Sequence, residues 1–552
     1  MKSLHTALFF AIGTVLASAG ETEEPEHSYA ELVQIAKNES NVDFSEISES
    51  FASEKLDADL LIELSTFEDE ARSLNGQQLR LGPIAVAILD RCFVSSVGHS
   101  SLAMFYERVG EDRSAMHEKW AEQIRRHMSY GKEGTRENPY IAYTTVQAEE
   151  FLKHDGYTVI GSLYESTDAS PLLLKVTANR DGQRSIDWFF DMQSAFGAYL
   201  LKTNEYENQG NLDERNRVLY LLAFRGDSAA QVSLGTSLNS SGRSQEARRW
   251  LSAAARSDNG LGHLAAARAY VDRALHGAGN QGSRFLNAAY DHYMSAINRG
   301  LEVGLYELGD LFVRGFYGDD VRSRGVEFLE RGASLDDPAS LFLLAKMSYQ
   351  GFVVEQGFNR ASDFFERAAR HGDAMVRVEY FRFLSDPETG HSVNQQALDW
   401  LEEAANEQSA EAMYELGNCY ARGCLDKPNY RRANSWYRKA VQTDPDNSSL
   451  VNSVAWTLSV SSNRSVRKPR YALRVMERMM TNSETARQSP QFLDTWAAAY
   501  AATGNFKRAV ELQREALSIA NSRDNISDEH LRAIREHLES FENREKVTKS
   551  IP

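Results

Sequence analysis

Residues 416–440 read LGNCYARGCLDKPNYRRANSWYRKA, and several of their residue classes recur at intervals of 36 along the preceding chain. One such column pairs a leucine with a small residue, at Leu308 and Gly309, Leu344 and Ala345, and Leu416 and Gly417. Tyr380 with Phe381 occupies the place of the missing copy. A fixed interval of this length indicates stacked supersecondary units, each of which buries its apolar face only against its neighbours.

Two further columns share this interval. Aromatic residues form the first column, at Phe328, Phe364, Trp400 and Trp436. Small residues form the second column, at Gly332, Ala368, Ala404 and Ala440. Antiparallel helices approach closely only where the facing side chain is small, and an aromatic ring one turn earlier fills the adjacent gap. We therefore expect that replacing Trp400 or Trp436 by alanine costs about 3–5 kcal/mol.

One unit, residues 338–373, indicates what is repeated. Apolar residues recur at helical spacing over residues 340–349, and two glycines then bracket a loop. A second helix follows, and Gly372 is predicted to end it in the left-handed conformation that glycine adopts without steric cost. Each unit is therefore predicted to be a helical hairpin. The predicted fold class is mainly α, an α-solenoid of stacked helical hairpins.

The unit at 416–440 resembles the Sel-one-like repeat, a relative of the tetratricopeptide repeat. The residues that carry the resemblance are Leu416, Gly417, Tyr420, Gly423, Ala433, Trp436, Tyr437, Lys439 and Ala440. Weaker copies extend over residues 215–445, and residues 446–520 resemble tetratricopeptide repeats, most clearly at Leu493, Ala497, Gly504 and Ala509. The resemblance implies an α-solenoid whose concave face binds partner proteins or peptides, usually without enzymatic activity of its own.

Residues 1–19 have the three parts of a secretory signal peptide. Lys2 gives a basic start, residues 7–16 form an apolar core, and Ala17-Ser18-Ala19 is a small-residue cleavage pattern. The apolar run is too short to span a bilayer, which takes about 20 residues. No cysteine follows the cleavage pattern, which argues against a lipoprotein, and no second apolar run of spanning length occurs. We expect an exported protein, in a bacterial periplasm.

The acidic charge of the chain is concentrated near its start. The 552 residues carry a net charge of −17, and residues 20–80 hold 16 acidic against 4 basic side chains. Residues 20–74 are therefore predicted to be an acidic leader followed by helices. An acidic protein is a poor nucleic-acid binder, because phosphates are neutralised by clustered Lys and Arg. One basic cluster occurs, at Arg464, Arg467, Lys468 and Arg470, and either a solvated loop or a polyanion site explains it.

The three cysteines, Cys92, Cys419 and Cys424, are too few for a disulfide framework. In an oxidising compartment one pair can still form. Cys419 lies near the end of the first helix of its unit and Cys424 just past Gly423, so a small loop would bring the two within bonding range. The sequence leaves open whether this bridge exists. Cys92 is expected to be buried as a small hydrophobic residue.

A small α+β domain is predicted over residues 75–205. Residues 81–91 and 101–127 are predicted to form two helices. Strands are predicted over residues 157–164, 172–178 and 185–190, with a turn at 179–182 between the last two. The domain resembles no family that we recognise, and its aromatic residues form either a ligand pocket or a core.

Fragments of catalytic motifs occur without the context that they need. Residues 277–282 satisfy G-x-G-x-x-G but follow a helix, whereas phosphate binding needs a strand before the loop. Residues 129–132 match S-x-x-K and residues 257–259 match S-D-N, in an order that penicillin-recognising enzymes do not have. His117-Glu118 lacks the second histidine of a zinc motif. We therefore predict no catalytic residue, metal ligand or cofactor.

Three hypotheses remain. The first is an exported scaffold that binds protein or peptide partners on its solenoid, with no nucleic acid. The second is a cell-envelope enzyme with its site in residues 75–200, which a pocket with a nucleophile or acid beside a base would favour. The third is a secretory-pathway adaptor, suggested by N-x-S sequons at Asn38, Asn239, Asn447, Asn463 and Asn525. In each case residues 523–552 are predicted to be a capping helix and tail, with Leu531, Ile534, Leu538 and Phe541 on one side.

Overall fold

The computed structural model describes residues 27–38, 43–74, 76–168, 170–204, 212–276, 281–523 and 526–549. The chain forms two compact units, Met1–Leu308 and Gly309–Pro552. The predicted signal peptide, and positions 277–280 of the glycine-rich fragment, lie outside the described residues. Among the described helices, none combines the length and the apolar character that a membrane span requires.

The first unit begins with helices that share one apolar core. They are α1 (Tyr29–Asn38), α2 (Phe44–Glu54), α3 (Ala58–Ser73), α4 (Gln78–Arg91), α5 (Ser96–Val109) and α6 (Arg113–Ser129). The sequence predicted a single helix over residues 101–127, and that prediction is wrong. Gly110 ends α5 with φ 77°, a left-handed conformation that a continuous helix cannot contain.

A four-stranded sheet follows these helices. Its elements are β1 (Tyr140–Ile141), α7 (Thr145–His154), β2 (Thr158–Glu165), β3 (Leu173–Asn179), β4 (Ile186–Asp191) and α8 (Gln193–Asn204). The strand order is β1-β4-β3-β2, with β1 parallel to β4 and the other pairs antiparallel. The three predicted strands are present. The two-residue strand β1 was not predicted, because it is too short to show alternation.

The free edge of β2 is covered by side chains from the repeats that follow. Ser233 accepts a hydrogen bond from the Tyr164 N–H at 2.7 Å and donates one to the Tyr164 carbonyl at 2.9 Å. Asn259 donates to the Ser162 carbonyl at 2.8 Å. An open strand edge is a template for pairing with other chains, and these contacts remove it. Asn259 of the S-D-N fragment therefore has a structural role.

Helical hairpins complete the first unit. They consist of α9 (Glu214–Phe224), α10 (Ser228–Ser240), α11 (Ser244–Arg256), α12 (Gly260–His276) and α13 (Gly282–Asn298). The next helix, α14 (Val303–Val313), contains the boundary between the two units. α12 and α13 have 17 residues each, which makes this hairpin longer than its neighbours.

The second unit continues the hairpins. Its helices are α15 (Arg322–Ser334), α16 (Pro338–Gln350), α17 (Phe358–His371), α18 (Ala374–Ser385), α19 (Gln395–Asn406), α20 (Ala410–Arg422), α21 (Tyr430–Thr443), α22 (Ser448–Val460), α23 (Pro469–Asn482), α24 (Glu484–Arg487), α25 (Pro490–Thr503), α26 (Phe506–Asn521) and α27 (Asp528–Glu542). The predicted fold class is confirmed: an α-solenoid of stacked helical hairpins, preceded by a small α+β domain.

Three successive repeats start their first helix with the same kind of cap. Asp337, Asp373 and Ser409, spaced 36 apart, accept hydrogen bonds from backbone N–H groups three residues later, at 2.8, 3.1 and 3.2 Å. Such caps satisfy donors that the first turn leaves free, and each contributes about 1 kcal/mol. The repeat interval therefore carries a fourth signal, which fixes where these three hairpins begin.

The buried column of the second helices differs from the predicted one. Phe328 and Trp400 are buried, whereas Phe364 and Trp436 are half-buried. The next residue in each repeat is almost fully enclosed. This column consists of Leu329, Phe365, Leu401 and Tyr437, all at 2% exposure or less. The contact with the first helix is therefore made one residue further on than the aromatic pattern predicted.

The prediction for Gly372 is also wrong. Its φ of −85° and ψ of 173° are extended, so the residue does not need a left-handed conformation. A Cβ atom at this position would lie 2.6 Å from the carbonyl oxygen of Ala368 and 2.9 Å from Cβ of Val376. Glycine is required here because the chain passes too close to its neighbours for any side chain.

The loop after α20 brings two cysteines together. Gly423 ends α20 with φ 78°, and the structure joins Cys419 and Cys424 by a disulfide, with their Cα atoms 5.1 Å apart. Cys92 is buried in the first unit and is free.

Candidate functional site

The first helices of successive hairpins form one continuous surface in the second unit. α18, α20, α22 and α25 contact one another in that order, without an intervening second helix. We call the solvent-facing side of these helices the first-helix face. The resemblance implied that partners bind on such a surface, although it did not specify residues.

A polar row crosses the first-helix face from α18 to α20. Arg382 donates from Nη1 to Glu379 at 2.8 Å, within its own helix, and from Nε to Glu415 on the next first helix, also at 2.8 Å. Glu415 also accepts from Asn418 at 3.0 Å, and Asn418 in turn accepts from the Tyr437 hydroxyl at 2.9 Å. The row therefore runs from the buried column of the second helices to an exposed guanidinium.

The electrostatics of this row leave a charged group accessible. The Arg382 side chain is 43% exposed, whereas that of Glu415 is only 10% exposed. Burial lowers the pKa of Arg382, but the Glu415 and Glu379 carboxylates outweigh that effect and raise it above its ordinary value. The guanidinium is thus a permanent, fixed donor at the surface, suited to a carboxylate or a carbonyl of a partner.

The chain's own C-terminal tail lies at the far end of the first-helix face. Lys549 donates its N–H to the Val460 carbonyl and accepts from the Ser462 N–H, both at 2.8 Å. The Lys549 ammonium lies 5.4 Å from the centre of the Trp456 ring on α22. Lys546 donates to the Ala502 carbonyl at 3.0 Å. The tail therefore binds this part of the surface through its backbone and its lysines.

The first unit contains a cleft of about 580 Å³ within the α+β region. Its charged side chains come in pairs of opposite sign. Arg125 donates to Glu118 at 3.0 Å and to the Ser100 hydroxyl at 3.1 Å. Lys153 donates to Glu150 at 2.6 Å. Ser100 has a cation rather than a base beside it, so the cleft lacks the geometry of an activated nucleophile.

A buried carboxyl group lies close to this cleft, in the protein core. Glu68 accepts hydrogen bonds from the Ser95 hydroxyl at 2.7 Å and from the Thr144 hydroxyl. Ser95 and Thr144 are themselves the N-caps of α5 and α7. Burial raises the pKa of Glu68 to about 7, although both hydroxyls favour the charged form. The group joins two helix starts and does not line the 580 Å³ cleft.

A histidine pair is buried in the same unit. His99 and His117 approach through their Nδ1 atoms at 2.9 Å, and His99 Nε2 lies 2.8 Å from the Phe93 carbonyl. Burial, followed by the charge of the partner histidine, lowers the pKa of His99 to about 3. Burial and the nearby Arg113 lower the pKa of His117 to about 4. Both rings are neutral and pack among aromatic side chains, which indicates a structural role.

The described residues contain no group of three or more His, Cys, Asp or Glu side chains that would hold a metal ion. The predicted repeat columns lie in the hairpins, and none of their residues lines the 580 Å³ cleft of the first unit. The sequence analysis missed the polar row, although its signal was available. Glu379 and Glu415 are 36 residues apart, and so are Lys346 and Arg382.

Stacked helical hairpins of this kind define a tetratricopeptide-type repeat protein. Several of their first helices begin with side-chain caps, and small residues of the first helices pack against large residues of the second. Within that class, the model of the Sel1 repeat matches residues 228–259, 303–337, 338–373, 390–409 and 410–442. Residues 228–442 of the chain therefore contain Sel1-like repeats. The long hairpin α12–α13 and the hairpins after residue 442 are outside the matched segments.

Several solved structures are similar to this chain. The antigen c5321 of uropathogenic Escherichia coli is 16% identical, with a TM-score of 0.39 over 64% of this chain and 85% of that chain. A Sel1 repeat protein from Oxalobacter formigenes is 20% identical, with a TM-score of 0.35 over 46% of this chain and 100% of that chain. Yeast Tom70 is 10% identical, with a TM-score of 0.31 over 94% and 95%. None of the curated proteins matches the sequence.

Proposed function

We propose that this protein is an exported, periplasmic scaffold that binds protein or peptide partners through its first-helix face. Sel1 and tetratricopeptide repeats typically mediate protein–protein interaction and are generally not catalytic. The observation that carries the proposal is the polar row, in which Arg382 is held by two carboxylates and still exposes 43% of its side chain.

The polar row is suited to binding because it is already ordered. Glu379 and Glu415 fix the guanidinium of Arg382, so a partner does not have to immobilise a flexible side chain. Preorganisation of this kind reduces the entropic cost of association. Hydrogen bonds to a charged donor are also stronger than those between neutral groups.

The same unit offers a matched test by site-specific photo-crosslinking in the full-length chain. A photoreactive amino acid at Met375, an exposed residue of α18 one turn before Glu379, is compared with one at Glu366, an exposed residue of the second helix α17. We expect covalent adducts with envelope proteins at position 375 and few at position 366. Adducts at 366 alone, or equal adducts at both, would contradict binding through the first-helix face.

Export is tested separately, in the native host. Cell fractionation should place the protein in the periplasmic fraction, and N-terminal sequencing should begin at Gly20, after the small-residue pattern. A mature chain that retains Met1, or that fractionates with the cytoplasm, would contradict export while leaving the crosslinking result intact.

A further inference from the structure

A basic cleft lies in the second unit, between α21 and the loop that joins α22 to α23. It has a volume of about 920 Å³ and is lined by Arg431, Arg438, Lys439 and Lys468. The sequence showed a cluster at residues 464–470, and the structure adds the cations of α21, thirty residues earlier. We call the cavity lined by these four side chains the basic cleft.

The cations of the basic cleft make no ion pair with an acidic side chain in the part of the chain that the structure describes. Among the described residues, no ion pair is made by any of the four lining cations or by their neighbours Arg464, Arg467, Arg470 and Arg474. Residues 427–474 contain ten Lys and Arg against two Asp, in a chain whose net charge is −17. Elsewhere most arginines near clefts are neutralised, as Arg125 is by Glu118. Unpaired like charges repel one another, so a bound anion would lower the electrostatic energy of the cleft.

We propose that the basic cleft binds an acidic peptide segment of a partner protein. The proposal does not depend on the first-helix face, because α21 is a second helix. Along α21 the cleft runs from Arg431 to Gln442, about 16 Å at 1.5 Å per residue. That length matches about five residues of extended peptide.

The neutral residues of the cleft favour a peptide over other anions. Gln442 lies exposed on the same stripe of α21 as the cations, whereas Asn434 already donates to the Tyr430 and Ser465 carbonyls at 2.8 and 3.0 Å. Amide side chains both donate and accept hydrogen bonds. A peptide backbone presents N–H donors as well as carbonyl acceptors, whereas a phosphate chain presents acceptors to protein donors. The cleft therefore offers charge for acidic side chains and the Gln442 amide for the backbone between them.

Single-stranded nucleic acid stacks successive bases on several aromatic rings, and Tyr430 is the one aromatic side chain among the residues that line the cleft. Two rings beside the lining already carry cations. Lys439 lies 4.1 Å from the centre of the Trp436 ring, and Arg438 lies 5.5 Å from that of Tyr471. Burial raises the pKa of Tyr471, and the charges of Arg438 and Arg474 oppose that shift.

A membrane surface is also a poorer match for the basic cleft. Binding at a lipid interface usually combines cations with exposed apolar anchors. Among the described residues after Leu425, no large hydrophobic side chain is exposed. The cleft thus has the charge for an anionic surface without the apolar contacts that hold a protein there.

Fluorescence anisotropy with the full-length protein tests the proposal. The probe is a fluorescein-labelled decapeptide of glutamate, and a glutamine decapeptide is its uncharged match. The variant Arg431→Gln/Arg438→Gln/Lys468→Gln should weaken binding of the glutamate peptide about tenfold, since each exposed contact contributes modestly. The control variant Arg256→Gln/Lys507→Gln/Arg532→Gln removes three exposed cations elsewhere and should leave binding unchanged.

Other polyanions are included as competing outcomes. A 20-nucleotide oligothymidylate and vesicles containing phosphatidylglycerol are measured at the same salt concentration. The proposal would be overturned if the oligothymidylate or the vesicles bound as tightly as the glutamate peptide or more tightly, and if the triple variant of the cleft lost that binding. It would also be overturned if the cleft variant and the control variant lost peptide binding equally. The single variant Arg431→Gln should weaken peptide binding about threefold. Because the Arg431 side chain makes no described hydrogen bond, this variant should fold even if the triple variant does not.

Discussion

A Cβ atom added at Gly417 would lie 2.5 Å from Cε1 of Tyr437, on the second helix of the same hairpin. The equivalent glycine in other repeats faces the same position. At Gly309 the added atom would lie 2.8 Å from Cγ of Leu329. The glycine that follows the repeated leucine of the first helix is therefore the position against which the enclosed residue of the second helix packs.

This contact predicts that Gly417→Ala destabilises the protein. In an exposed helix the same change gains up to about 1 kcal/mol, because glycine has the larger conformational entropy to lose. At Gly417 the methyl group would displace the Tyr437 ring, at an overpacking cost of about 1–3 kcal/mol. Urea unfolding followed by circular dichroism measures the difference.

Gly197 provides the control for that experiment. It lies in α8, and a Cβ atom added there meets nothing within 4 Å. Gly197→Ala should therefore be neutral or stabilising. If both variants were stabilised alike, the close approach of Gly417 and Tyr437 would not limit the residue at this position.

The aromatic column illustrates what the sequence was able to predict. Trp400 and Trp436 drew attention because tryptophan and phenylalanine recur at the repeat interval. The enclosed column contains Leu, Phe, Leu and Tyr, which share burial and not a chemical class, so no single residue type identified it. A search for apolar residues at the interval, regardless of type, would have found Leu329, Leu401 and Tyr437.

Because Tyr437 is enclosed and Trp436 is only half-buried, replacing each of them should lower the free energy of unfolding by a different amount. Tyr437 is fully buried and donates its hydroxyl to Asn418 at 2.9 Å, so Tyr437→Ala should cost about 3–5 kcal/mol. Trp436 is half-buried beneath Lys439, so Trp436→Ala should cost only about 1–2 kcal/mol. Chemical denaturation of the two variants tests this, and equal losses would show that the ring of Trp436 belongs to the core.

The basic cleft and the polar row differ in how far the sequence predicts them. The acidic positions of the polar row repeat at 36 residues, so the interval alone places Glu379 and Glu415 on the same face. The basic cleft joins α21 to a loop thirty residues later, and only the turn of the hairpin brings Arg438 near Lys468. Contacts between segments without a common period cannot be derived from the interval.

Glu68 predicts a pH dependence of stability with a defined sign. Burial raises the pKa of its carboxyl to about 7, from an ordinary value of 4.5. The folded state therefore keeps its proton at pH values where the unfolded state has lost it. As the pH rises from 4.5 to 7 the folded state loses stability, by about 3 kcal/mol when the loss is complete.

Glu68→Gln should remove this contribution, because an amide does not titrate. The variant should exceed the parent protein in stability at pH 8, and the advantage should shrink or reverse at pH 4.5. Glu70→Gln, an exposed change in the same helix, is the control and should have little effect at either pH. Thermal melts at the two pH values suffice. A constant difference between Glu68→Gln and the parent would refute the shifted titration.

The bridge between Cys419 and Cys424 is tested by peptide mapping without reduction. A mass decrease of two hydrogens in the fragment spanning both residues is expected for protein isolated from its native compartment. The closed loop is short, so the chain-entropy model gives a stabilisation of about 2 kcal/mol. Cys424→Ser should lower the melting temperature by the same amount as reduction. Free thiols at both positions in the native protein would exclude the bridge.

The last helix is predicted to close the apolar end of the second unit. Ile534 and Phe541 of α27 are buried at 0% and 1% exposure. Gln513 joins this helix to the preceding hairpin by donating to Asp494 at 2.6 Å and to the Ile534 carbonyl at 3.0 Å. His537 lies 2.8 Å from the same Asp494 carboxylate.

Deleting residues 523–552 should therefore lower the melting temperature and increase the binding of a hydrophobic dye. The deletion exposes the core and removes the Ile534 carbonyl from Gln513 and His537 from Asp494. A point variant gives the sharper test. Ile534→Asp places a carboxylate in the core and should cost about 3 kcal/mol or more. Arg535→Asp makes a comparable change on the exposed side of the same helix and should cost little. If the two variants melted together, α27 would not be a cap and the hairpins before it would be stable with their apolar end exposed.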